Sequence, residues 1–203
     1  VPYFVGIADS VAPAGQPPVV LIVTAQIQGY STGTFLTIGV SSVSLGPANW
    51  LPSYLPPTLT YSKNQEEWVA GCIDSTGTAR YAPASRRFPS DTWTAMVTIF
   101  STGTGYDSVC LIATPRTPYV VGFARRIEDR RLVRTLGTFS GTAISWGSPA
   151  TLTEIGEVHR HRTGACYLND TIALGLSYHG INGSCALAIS TTRFGDPGTW
   201  TVY

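Results

Sequence analysis

The sequence predicts an all-β fold, a β-propeller-like array of about four antiparallel blades. Three observations carry that reading: one strand motif returns along the chain, tryptophans recur at a similar spacing, and helix signals are nearly absent. The motif is Pro2 to Ala8, which returns as Pro118 to Ala124 with five of seven positions identical. Glu67 to Ile73 and Thr171 to Ser177 share its pattern, a short apolar run with Gly at the fifth position (Gly6, Gly71, Gly122, Gly175). Trp50, Trp93, Trp146 and Trp200 follow the runs roughly every fifty residues, the length of a four-stranded blade.

Each element can be justified in order. The Gly-bearing runs lead through polar turns into second runs at Val19–Ala25, Thr78–Ala84, Arg131–Gly137 and Ser184–Ser190. The turns have the right chemistry: Asp74-Ser75-Thr76-Gly77, Glu128-Asp129 and Asn182-Gly183, the last a strong hairpin signal. A third strand ends at each tryptophan. The intervening stretches Ala95–Thr114 and Pro149–Leu168 each have room for one more strand. The approximate repeats are residues 1–65, 66–116, 117–170 and 171–203 of a single domain, the first carrying an insertion from Gln26 to Phe35. Glu154–Val158 is the one stretch that starts like a helix, and Gly156 interrupts it. A β-sandwich or viral-type jelly roll fits the length and composition, but leaves the repeated Gly and Trp positions unexplained.

Composition bounds the partners. Charged residues make up 12% and the formal net charge is +1, so no strong field draws the chain to nucleic acid or anionic lipid. No run of eighteen apolar residues exists to insert into a membrane. Low charge, two glycosylation sequons at Asn169 and Asn182, and an even number of cysteines favour a secreted or cell-surface protein. Without an initiator Met or a visible signal segment, the chain is expected to be a processed or partial polypeptide. The four cysteines are expected to pair in sequence as Cys72–Cys110 and Cys166–Cys185.

The residues from Tyr119 to Ala124 and from Leu132 to Pro149 resemble blades of repeat propellers found in lectins and sialidase-like proteins. Ser190 to Trp200, with Asp196, Gly198 and Trp200, is similar to the Asp-box hairpin of sialidase-type blades, though one residue separates Gly198 from Trp200 where that family has two. The resemblance implies a propeller fold, with an Asp box that is structural rather than catalytic. Sialidases of that class also use several arginines, an acid and a tyrosine nucleophile, and their short Arg-Ile-Pro segment is missing here.

Candidate chemistry is sparse. His159-Arg160-His161 would put two imidazoles on one strand face, but a third ligand is not dictated by the spacing, and no metal or other cofactor is expected. Asp9, Asp74, Asp107, Asp170 and Asp196 lie at turns, where aspartates usually bond their own backbone. Arginine forks suit carboxylates and aromatic rings suit sugars, so Arg125, Arg126, Tyr178, His179 and Asp196 form the candidate binding set. The expected function is a non-enzymatic extracellular module that recognises glycans or protein partners, self-assembles, or docks on neighbouring domains. A propeller-type glycoside hydrolase and a viral or surface-assembly subunit are the alternatives.

Overall fold

A computed structural model describes residues 3–9, 19–31, 34–47, 58–74, 82–88, 94, 97–100, 105–141, 143–159, 163–168 and 173–203. The fold is all-β, and no helix occurs among the described residues. Four separate antiparallel sheets follow one another along the chain. The first is β1 (Tyr3–Asp9), β2 (Val19–Ser31) and β3 (Thr34–Pro47). The second is β4 (Thr58–Ser62), β5 (Glu67–Asp74), β6 (Ala82–Phe88) and β7 (Val97–Thr98). The third is β8 (Tyr106–Ala113), β9 (Tyr119–Arg126), β10 (Leu132–Ser140) and β11 (Ala143–Trp146), with β12 (Ala150–Thr151) on β10. The fourth is β13 (Gly164–Tyr167), β14 (Leu174–His179), β15 (Cys185–Ser190) and β16 (Trp200–Val202).

The second to fourth sheets each open with a strand taken from the stretch before the Gly-bearing run, so that run is the second strand of its sheet. The segment expected as an insertion, Gln26–Phe35, extends the β2–β3 hairpin, with register shifts at Ala25/Gln26 and Ile27/Tyr30.

Consecutive sheets stack, and the first strands β1, β4, β8 and β13 meet in sequence order. Backbone amides of β8 bond across to the second sheet: Leu111 N–H donates to Thr58 Oγ1 at 3.2 Å and Ala113 N–H to Thr60 Oγ1 at 3.0 Å. Two cores result. One lies between the second and third sheets and holds Val69, Ile73, Phe100, Leu111, Val120 and Ile144. The other lies between the third and fourth and holds Cys110, Phe123, Leu132, Leu174, Leu176 and Trp200. The third sheet is thus buried on both faces, which is why β9 reads as a continuous apolar run rather than an alternating one.

Gly6 lies on the first strand of its sheet, whereas Gly71, Gly122 and Gly175 lie on second strands, and those three do not share one face. Gly71 and Gly122 face each other across Leu111: a Cβ on Gly71 would come within 2.7 Å of Leu111 Cδ1, and one on Gly122 within 3.3 Å of Leu111 Cδ2. The two glycines make a slot for one leucine key. Gly175 alternates with Leu174 and Leu176, which pack on the third sheet, so it faces the other way, under Leu168 and Cys166. The tryptophans are better matched. Trp146 and Trp200 both sit on fourth strands and turn toward the preceding sheet, Trp200 meeting Phe123 edge-on at 6.0 Å. Trp50 and Trp93 lie outside the described residues.

The expected disulfides are absent. Cys110, Cys166 and Cys185 are free. Cys166 pairs with Gly175, which pairs with Ile189, four residues from Cys185. Two strand spacings and four residues separate the thiols' backbones by on the order of 16 Å, against a limit of about 7 Å for bridging. Cys110 points away from the second sheet, into the core with the fourth, where it is hydrogen-bonded to the Ala165 backbone. Burial pushes its thiol up to about 12.

Candidate functional site

Among the described residues, two open clefts lie at opposite ends of β8. The larger, about 590 Å³, lies between the β4–β5 and β8–β9 turns and is lined by Tyr61, Lys63, Asn64, Ala113, Thr114, Pro115 and Arg116. Both turns are held from within. Ser62 Oγ accepts the Gln65 N–H at 3.3 Å, and Thr114 Oγ1 donates within its own turn, to the Tyr119 carbonyl at 2.9 Å or the Thr117 carbonyl at 3.1 Å. The cleft-facing side chains therefore project from fixed loops. Tyr61 is 45% exposed, its ring 5.1 Å from that of Trp68 at 52°. Lys63 and Arg116 supply two cations and Asn64 an amide, with no carboxylate among the described residues of the lining. Arg116 sits at φ 60, in the left-handed region that side chains other than glycine's enter at a cost. Glu66, at the corresponding turn of the second sheet, is at φ 55.

The smaller cleft, about 430 Å³, lies where the third and fourth sheets meet and is lined by Asp107, Arg125, Ile127, Arg130, His159 and Ile181. Here the candidate Arg125 is a structural residue. Its guanidinium forms a buried ion pair with Asp107 and donates from Nε to the Val158 carbonyl at 2.7 Å, tying β9 to the segment that leads into the fourth sheet.

The other candidates are dispersed. Arg126 forks onto Asp129 within the β9–β10 turn, and this bond holds the Asp129 carboxyl below its ordinary value. Tyr178 is buried in the core, and burial raises its hydroxyl. His179 is half-buried, its Nε2 3.5 Å from Cys185 Sγ. Asp196 lies in the β15–β16 hairpin and pairs with Arg134 of the third sheet at 2.8 Å.

That hairpin differs from an Asp box in its chemistry. Its turn is closed by hydroxyls: Thr192 Oγ1 accepts the Asp196 N–H at 3.1 Å, Ser190 and Thr199 share a hydroxyl bond at 2.7 Å, and Trp200 Nε1–H donates to the Gly195 carbonyl at 3.1 Å. The Asp196 carboxylate instead pairs with Arg134 of the third sheet. Asn182 is exposed and accepts the Ser184 N–H at 3.1 Å in its tight turn, whereas Asn169 lies outside the described residues. His161 also lies outside them, and among the described residues no three His, Cys, Asp or Glu side chains come together to hold a metal.

No protein-family model and no curated protein matches the chain. A solved structure, a protein of unknown function from Dyadobacter fermentans DSM 18053, is similar at TM-score 0.58 and 11% identity. The match covers 91% of this chain and 60% of that one, so this chain spans about three-fifths of that protein's length. At that identity the likeness is one of fold alone.

The candidate set read from the sequence contains none of Tyr61, Lys63, Asn64 and Arg116. Their signal is positional: Lys63–Glu66 and Pro115–Thr117 are polar turns that each stand just ahead of a Gly-bearing run.

Proposed function

We propose that the chain is an arc of a β-propeller that serves as a non-enzymatic, extracellular glycan-binding module, and that its site is the cleft at Tyr61, Lys63, Asn64 and Arg116. The propeller reading is supported by the four successive four-stranded or three-stranded meanders and by the opening strands meeting in sequence order. The observation that carries the binding reading is the exposed Tyr61 ring beside two cations and an amide. An aromatic face takes the apolar side of a sugar ring, and forked or point cations take a carboxylate or sulfate on it. The ligand class is therefore an acidic glycan. Placement outside the cell rests on low charge and the exposed Asn182 sequon, because the free cysteines no longer argue for it.

The test is a glycan array followed by calorimetry on the retained sugars. Acidic glycans should be retained over neutral ones, and Tyr61→Ala should weaken binding by about tenfold or more, ~1.4 kcal/mol. Arg116→Gly is the sharper variant. It relieves the left-handed backbone and should leave stability unchanged or raise it by about 1 kcal/mol, while binding falls. Glu66→Gly gives the same relief at the corresponding turn and should leave binding intact. Wild-type affinity in both Tyr61→Ala and Arg116→Gly would remove the site, and an array with no retained glycan would remove the function.

A further inference from the structure

The fourth sheet holds a nucleophile beside a base. Cys185 and His179 face each other across the β14–β15 pair, as the last register partners before the Asn182-Gly183 turn. Their strand neighbours Ala186 and Tyr178 pack toward the third sheet, so alternation turns the thiol and the imidazole to the outer side. Cys185 is exposed, and its Sγ lies 3.5 Å from His179 Nε2. With the imidazole proton on Nδ1, Nε2 accepts the S–H. The backbone beside the pair is tied down: the His179 carbonyl accepts the His159 N–H at 2.8 Å, and the Gly180 N–H donates to the Ser184 carbonyl at 2.8 Å. A thiol attacks as the thiolate, so a base within hydrogen-bond reach sets one thiol apart from another.

Cys166 is the comparison within the same sheet. It is exposed too, and a Cβ on Gly175 would meet its Sγ at 3.4 Å. Among the described residues, Cys185 is the exposed thiol that contacts an imidazole. The backbones of the two cysteines stand on the order of 16 Å apart, too far for a bridge.

We propose that Cys185 is a site of reversible S-thiolation by low-molecular-weight disulfides, with His179 as the base. His179 Nε2 takes the thiol proton, the sulfur bonds to one sulfur of the disulfide, and the S–S bond breaks. The other half leaves as a thiolate and recovers the proton from the imidazolium. Cys185 is oxidised and the leaving half is reduced, so the disulfide is the oxidant. With Cys166 out of reach and Cys110 buried, the product stays a mixed disulfide until an added thiol reverses it.

Oxidised glutathione is the probe, read by peptide mass spectrometry of the native protein at neutral pH. The mixed disulfide should form about tenfold or more faster at Cys185 than at Cys166. Protein unfolded in urea should lose that difference, because the imidazole is then held at no fixed distance. His179→Gln, with unchanged circular dichroism, should bring Cys185 down to the Cys166 rate and leave Cys166 as it was. Dithiothreitol should restore the free thiol. The comparison of native with unfolded wild type needs no variant, so it decides even if His179→Gln folds poorly. Equal rates at the two cysteines in the native protein would overturn the proposal, as would a Cys185 advantage that persists in urea or in folded His179→Gln.

Discussion

Replacing Asp107 by Ala tests whether the Arg125 ion pair is structural. Both side chains are almost wholly buried, at 7% and 5% exposure, and the guanidinium also holds the Val158 carbonyl. Removing the carboxylate leaves a buried cation with only part of its compensation, a change that costs about 3–5 kcal/mol. The Arg126–Asp129 pair, three residues apart in a turn and 25% and 34% exposed, is the internal control, and Asp129→Ala should cost under about 1 kcal/mol. In urea, with a slope of about 2 kcal/mol per molar, the Asp107→Ala midpoint should fall by roughly 1.5–2.5 M and the Asp129→Ala midpoint by less than about 0.5 M. Asp107→Asn keeps the shape and lies between them, which preserves the ranking if the alanine variant folds poorly. The double variant Asp107→Leu/Arg125→Met, which removes both charges, should recover most of the loss. Equal losses for Asp107→Ala and Asp129→Ala would refute the reasoning, because burial would then have no bearing on the value of an ion pair in this fold.

Other outcomes follow from the same geometry. Native protein at pH 8 should label at Cys166 and Cys185 with a thiol reagent while Cys110, its thiol pushed up to about 12 by burial, labels only on unfolding; rapid labelling of Cys110 would contradict its packing. Gly137→Ala should destabilise by about 1–3 kcal/mol, since its Cβ would stand 2.6 Å from Ile144 and 2.7 Å from Trp146, whereas Gly147→Ala, whose nearest neighbour is the Leu136 carbonyl at 3.4 Å, should be nearly neutral in the same melt. Asp129 is held below its ordinary carboxyl value, chiefly by its bond to Arg126, so its small contribution is complete above the unfolded value near 4 and fades as pH falls through the lower folded one. The stability difference between wild type and Asp129→Asn should accordingly shrink on acidification below about pH 4, and a difference that grows there would reverse the assignment.

The strands were legible because continuous apolar runs record burial on two faces, and β9 has that pattern along its length. The turn at Asn182-Gly183 was legible for the same local reason, a glycine at φ 82 following an Asn that bonds its own turn. What stayed hidden was parity. Whether Gly122 looks toward the second sheet or the fourth depends on how the sheets stack, and in β8 the register shift at Tyr106/Ser108 puts Tyr106 on the same side as Val109 and Leu111 without any mark in composition. The cysteine pairing failed on distance and burial: Cys166 and Cys185 stand two strand spacings and four residues apart in one sheet, and Cys110 is committed to the core between the third and fourth sheets. In the site, arginine identity drew notice to Arg125 and Arg126, yet nothing in the sequence marks them as side chains that bond their own scaffold.

The double-sided burial of the third sheet has a consequence for how the molecule opens. Successive residues of β9 belong to different cores, Val120 and Ala124 to one and Val121 and Phe123 to the other, so unzipping that strand empties both at once. Among the described residues the fourth sheet closes one core, and its β16 strand holds three residues. The energetic units of the molecule are thus unequal: the fourth sheet can open at a smaller cost than the third, while the amides of β9 and β10 exchange with solvent only when the second, third and fourth sheets come apart together.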